Sequence, residues 1–161
     1  MRALRRLTAA AIFLGGIAQA NATTQQPDIP KPWRILPATG QAIEETQAFV
    51  IDTGQPVKLT SLDQQLWCEA EGVGQRIPAR PVDPQTQRDV LAQTRMPENA
   101  LVVSCTETLP AGRNMKLVWG PGIQAENGKR SGRSYSFVYP VREPFTATVH
   151  CERDKAGAPC S

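Results

Sequence analysis

Apolar and polar residues alternate most regularly between Leu109 and Cys160. Met115, Leu117 and Trp119 share one face of a first segment, with Lys116 and Val118 on the other. Tyr135, Phe137 and Tyr139 line one face of a second, opposite Ser134 and Ser136. Phe145, Ala147, Val149 and Cys151 line one face of a third, opposite Thr146, Thr148 and His150. A period of two, rich in aromatic and β-branched residues, predicts half-buried strands packed on a partner sheet. The connectors agree. Pro110-Ala111-Gly112 turns the chain into the first strand, Gly120-Pro121-Gly122 ends it, and Pro140 and Pro144 bracket the crossing to the third.

Shorter elements precede these. "WRILPATG" from Trp33 reads as a strand ending in a Pro/Gly turn, and Ala48 to Asp52 as another. Leu66 to Ala70 and Arg76 to Arg80 flank "EGVGQ", whose glycines suit a hairpin loop, and Ala100 to Thr106 is a further strand. One helix interrupts the series. Asp83 before Pro84 forms a cap-and-start signal, and "PQTQRDVLAQT" supplies about two turns with Val90 and Leu91 facing inward. The pattern predicts an all-β fold, an immunoglobulin-like antiparallel β-sandwich of about eight strands with one short helix.

The first twenty residues follow a different logic. Arg2, Arg5 and Arg6 precede an apolar run from Leu7 to Ile17, and Ala18-Gln19-Ala20 offers a small-x-small cleavage site. This predicts a signal peptide over 1–20, with an apolar run too short to span a bilayer as a helix. No cysteine lies near the cleavage site, so a lipid anchor is not expected there. A polar, proline-bearing lead-in over 21–32 and one domain over 33–161 complete the expected organisation. The location implied is periplasmic or secreted, with no membrane span. Removal of three arginines changes the charge balance. The full chain carries 18 Lys and Arg against 15 Asp and Glu, and the processed chain 18 − 3 = 15 against 15. A neutral chain has no net field to attract phosphate, so nucleic acid is not an expected partner.

Four cysteines in an exported chain point to disulfides. Of three possible connectivities, two local pairs are the natural choice. Cys68 lies on the Leu66, Cys68, Ala70 face of its strand, and Cys105 on the Leu101, Val103, Cys105 face of another, so both point into one core. Cys151 and Cys160 would close a small loop. Zinc is disfavoured, because paired Cys-x2-Cys units are missing and the single histidine, His150, faces outward. No cofactor is expected.

Catalytic patterns are sparse. The sequence has no nucleophile elbow, phosphate loop or metal-binding triplet. Glu44 and Glu45 are neighbours, which places them on opposite faces of an extended chain, a poor acid/base pair. The expectation is a non-enzymatic protein without a small-molecule substrate. Two features qualify as contact surfaces. Lys129, Arg130 and Arg133 form a basic cluster among glycines, in a loop where binding commonly resides. Trp67 alternates with the inward Cys68 and is the best aromatic interface candidate.

The segments "LPAGRNMKLVWGPGI" and "YSFVYPVREPFTATVHCER", with the closing Cys-x8-Cys, resemble the N-terminal region of bacterial alpha-2-macroglobulin-like proteins, large periplasmic protease traps. "ILPATGQAIEETQAFVI" and the surroundings of Cys68 extend the resemblance over roughly Trp33 to Cys160. It implies a macroglobulin-type sandwich and a role in a protease-inhibitor system, with further macroglobulin domains or an envelope protein as partner. The trapping machinery is not carried over: no cysteine begins the Cys-x-x-Gln pattern of a thioester, and no bait segment is recognisable. A scaffold or recognition piece is therefore expected. The alternatives are an independent immunoglobulin-like binding module of the envelope or a non-functional truncated remnant.

Overall fold

The computed structural model describes residues 29–147. Seven strands form one antiparallel sheet: β1 (Arg34–Leu36), β2 (Ala48–Asp52), β3 (Leu66–Ala70), β4 (Ile77–Pro81), β5 (Leu101–Cys105), β6 (Asn114–Trp119) and β7 (Tyr135–Pro140). Their order across the sheet is β1-β2-β5-β4-β3-β6-β7. One helix, α1 (Pro84–Ala92), lies between β4 and β5 in the chain. The fold is all-β with one short helix.

The sheet is curled into a sandwich-like shape, and β4 is where it turns. The first part of this strand pairs with β3, Cys68 opposite Ile77 and Trp67 opposite Pro78. Its last part pairs with β5, Ala79 opposite Cys105 through Pro81 opposite Val103. A continuous ladder therefore runs through one corner strand. The curl brings the far ends of the sheet together, with the rings of Phe49 on β2 and Tyr139 on β7 5.1 Å apart at their centroids. Between the two halves lies the main core, including Phe49, Ile51, Leu66, Ile77, Leu101, Val103, Met115, Leu117 and Trp119. Each such side chain contributes about 1.5–3 kcal/mol by leaving water.

The two edges are clasped by the residues that follow β1. Gly40 N–H donates to the Val138 carbonyl at 2.8 Å, and Ile43 N–H to the Pro140 carbonyl at 2.9 Å. Thr39 Oγ1 donates to the Val138 carbonyl and accepts from its N–H. The Tyr139 hydroxyl reaches back to the Pro37 carbonyl at 3.0 Å. Groups of β7 that would otherwise present an open edge are thereby occupied.

Across the corner, Cys68 and Cys105 form a disulfide with their Cα atoms 6.1 Å apart. The inward alternation on β3 and β5 produces this pair as the sequence implies. Cys151 and Cys160 lie outside the described residues, as do His150 and residues 1–20, where a signal peptide is expected.

Helix α1 starts as its sequence dictates. The Asp83 carboxylate accepts from the N–H groups of Gln85 and Thr86, and Pro84 occupies the first turn. The hydrogen bond from the Thr86 side chain, first among several, holds the Asp83 carboxyl below the usual range. The helix covers the outer face of β2 and β5. There Val50, Met96, Ala100 and Val102 form a second cluster, with Val90 and Leu91 packed against it. Strands β2 and β5 are consequently buried on both faces, which is why their sequences, AFVID and LVVSC, read as apolar runs.

Two expectations need correction. Val118, assigned to the solvent face with Lys116, is 7% exposed. It stands in register with Trp67 on one side and Ser136 on the other, and the Trp67 ring leans across β6 far enough to approach Gly120. The expected third strand does not begin at Phe145, which is 94% exposed in a segment without regular structure through residue 147. With the outer edge of β7 already engaged by Thr39, Gly40 and Ile43, the place beside it is taken. The remainder of that segment lies outside the described residues.

Candidate functional site

The connection from β6 to β7, residues 120–134, carries the basic cluster and is tied down throughout. Ile123 and Ala125 are fully buried, and they pull the start of the loop onto the core. A small turn follows, with Ala125 N–H bonded to the Lys129 carbonyl at 2.9 Å and Gly128 N–H to the Ala125 carbonyl at 2.9 Å. Gly128 has φ +86°, a left-handed conformation that glycine adopts without a Cβ penalty. The segment 56–61 braces the turn from the side. Lys58 N–H donates to the Gln124 carbonyl, Glu126 N–H to the Pro56 carbonyl, and Gln124 N–H to Ser61 Oγ.

The far side of the loop is anchored in the core by Ser131, which is 2% exposed. Its hydroxyl accepts from the Trp119 indole N–H at 3.2 Å and donates to the Arg133 carbonyl at 3.0 Å. Ser131 N–H bonds the Ile123 carbonyl, and Gly132 N–H the Pro121 carbonyl. The loop is positioned by its backbone, by the buried Ser131 hydroxyl and by two further side chains: Gln124 Nε2 donates to the Gly128 carbonyl, and Asn127 Oδ1 accepts from Lys129 N–H.

Lys129, Arg130 and Arg133 are exposed. Arg130 and Arg133 make no side-chain hydrogen bond or ion pair among the described residues, and neither pairs with Glu126 of the same loop. Several other arginines are engaged. Arg34 bonds the Arg95 carbonyl, Arg88 the Gln85 side chain, and Arg142 the Glu44 carboxylate.

Trp67, the aromatic candidate, is half-buried on the outer face of β3. Its indole N–H donates to Glu69 Oε1 at 2.7 Å, and the Arg76 guanidinium lies 4.0 Å from the ring centroid. A cation over an aromatic face contributes about 0.5–1 kcal/mol at an exposed position. The ring is connected to the basic loop through Gly120. A Cβ there would stand 3.2 Å from the Trp67 ring and 2.7 Å from the Gln65 carbonyl oxygen, so only glycine fits. Gly120 N–H bonds that same carbonyl at 2.6 Å. The structure thus links Trp67 to the loop base, a neighbour relation that spacing alone does not reveal.

Beside Trp67 a shallow groove of about 560 Å³ runs over Glu69, Glu71, Arg76, Asn114, Lys116 and Val138. The Asn114 side chain and N–H both donate to the Glu71 carboxylate, which holds its carboxyl below the usual range. Glu71 is accordingly an anchored acceptor rather than a free base. Of the other tryptophans, Trp119 is wholly buried, whereas Trp33 is 51% exposed with the Lys31 ammonium 3.8 Å over its ring. Glu44 and Glu45 are both exposed, and Glu44 pairs with Arg142 at 2.6 Å.

No protein-family model and no curated protein matches the chain. Among solved structures it is similar to the crystal structure of the S-layer protein rSbsC(31-844), with TM-score 0.45 and 16% identity over 79% of this chain and 16% of that one. The structure of surface layer protein SbsC, domains 1-6, gives TM-score 0.45 and 16% identity over 78% and 15%. The chain thus spans less than a fifth of either protein's length, and at this distance the likeness carries no functional argument.

Proposed function

We propose that the chain is a non-enzymatic, exported β-sandwich module that works by binding another protein, with the β6–β7 loop as its recognition surface. The observation that carries this reading is the contrast within the loop. Its backbone is fixed by Ser131 and the 56–61 brace, while the guanidiniums of Arg130 and Arg133 are exposed and unengaged. Binding residues commonly stand on loops positioned by a rigid scaffold, and pre-ordering reduces the entropy lost on association. The Cys68–Cys105 disulfide supports an oxidising compartment, periplasmic or extracellular.

The resemblance to the N-terminal region of alpha-2-macroglobulin-like proteins supplies the setting: a scaffold or recognition piece of a protease-inhibitor system, meeting further domains or an envelope protein. On this reading the chain neither captures a protease covalently nor turns over a substrate. Incubating the purified protein with a panel of serine, cysteine and metalloproteases, followed by reducing denaturing gels, tests this. The expected result is unchanged bands for both proteins and no hydrolysis of chromogenic ester or amide substrates. A high-mass adduct that survives reduction, or saturable hydrolysis, would overturn it.

A further inference from the structure

We infer that Arg130 and Arg133 form a carboxylate-recognition pair that takes an acidic segment of a partner protein. This rests on the recognition role proposed for the loop and goes further by naming the chemistry of what it binds. Three observations combine. The two arginines flank Ser131, the buried residue that fixes the loop to the Trp119 indole, so the backbone that carries both is set by the core. Arg130 is further fixed by a bridge to Gln124, and Arg133 by the bond from Ser131 Oγ to its carbonyl. Neither side chain is consumed internally, although Glu126 lies on the same loop.

The choice of carboxylate over a polyanion follows from charge. Residues 29–147 carry thirteen Lys and Arg against twelve Asp and Glu, a net of +1. A body so nearly neutral has little long-range field to draw in a nucleic acid or a strongly charged polysaccharide. What remains is a local donor array. Each guanidinium presents a planar fork that matches a carboxylate bidentately, in a geometry that an ammonium cannot reproduce. Two such forks from one ordered loop suit spaced Glu or Asp side chains on an extended or helical segment.

Titrating the folded protein with an acetylated, amidated decapeptide of alternating Glu and Ser tests the assignment. The comparison probes are the same peptide with Gln for Glu, inorganic phosphate, and a sulfated polysaccharide. The expected result is saturable binding of the Glu peptide, binding of the Gln peptide at least about three- to tenfold weaker, and weakening by added salt. In Arg130→Gln/Arg133→Gln the affinity should drop about three- to tenfold, the range that two exposed charge pairs support. Arg130→Lys/Arg133→Lys should retain only part of the binding, because it keeps charge and loses the fork. An unchanged melting temperature in both variants shows that the fold is intact. Equal binding by wild type and the Gln double variant, no binding of the Glu peptide, or tighter binding of phosphate or polysaccharide would each sink the carboxylate pair. If a partner protein still contacts the loop in that event, the recognition role stands and only its chemistry is wrong.

Discussion

The indole N–H of Trp119 donates to the hydroxyl of Ser131 at 3.2 Å, and both residues are almost wholly buried. This single bond joins the last residue of β6 to the far side of the loop that follows, so the core itself sets the position of Arg130 and Arg133. Ser131 also donates onward to the Arg133 carbonyl, so its removal releases two partners.

Ser131→Ala should therefore lower stability by about 1–3 kcal/mol, the cost of leaving a buried donor unsatisfied. The chemical denaturation midpoint measures it. Amide hydrogen exchange should rise at residues 131–134 well before it rises in β6. Unchanged exchange there would mean that the backbone bonds to Ile123 and Pro121 hold the loop without the hydroxyl.

The disulfide offers a second test. Cys68 and Cys105 lie 37 residues apart, and closing a loop of that length removes enough chain entropy from the unfolded state to stabilise the fold by about 4 kcal/mol. Cys68→Ala/Cys105→Ala should show a loss of that order in urea unfolding. A loss below about 1 kcal/mol would mean that residual structure already restrains the unfolded chain without the disulfide.

Tyr139 links the clasp to pH. Burial pushes its phenol up to about 12 from the ordinary 10, so the folded state holds the proton where the unfolded state has released it. Stability contributed by the neutral phenol is fully present below about pH 10 and declines as pH rises from about 10 toward 12. Absorbance titration near 295 nm in a Tyr135→Phe background isolates Tyr139. A midpoint near 10 in the folded protein would contradict its burial against Phe49 and the Pro37 carbonyl. Tyr139→Phe should cost about 1 kcal/mol for the lost hydrogen bond.

Much of this architecture is legible in the amino-acid order because it is local. Ala48–Asp52, an apolar run, and Leu66–Ala70, an alternating one, emerge with the bounds that the sequence implies, and Asp83-Pro84 starts α1 by short-range capping chemistry. The Cys68–Cys105 pairing follows from the same period of two. Non-local choices are a different matter. Nothing in "IPARP" announces that β4 divides its hydrogen bonds between β3 and β5. Val118 reads as an outward position and is buried where the fold sets it in register between Trp67 and Ser136. Phe145 has a strand-like neighbourhood, yet the place beside β7 belongs to residues about a hundred positions earlier, which no window of sequence contains.

The candidate site divides in the same way. Lys129, Arg130 and Arg133 stand out as a cluster of charge among glycines, and Trp67 as an aromatic on an outward face. Ser131 carries no such signal. A serine between two basic residues in a loop looks like solvent-exposed polarity until the fold places it beneath Trp119. Its clue in the sequence is indirect: a buried tryptophan needs a partner for its N–H, and Ser131 is twelve residues away.

Site-specific photo-cross-linking addresses the central claim most directly. A benzoylphenylalanine placed at Arg133, and in a separate variant at Gln93 on the exposed end of α1, would be irradiated in intact producing cells. A light-dependent adduct with one discrete protein is expected from position 133, reduced when the remaining Arg130 is changed to Gln, and none from position 93. Absence of any adduct at 133, or equal labelling from both positions, would contradict the assignment of the β6–β7 loop as the recognition surface.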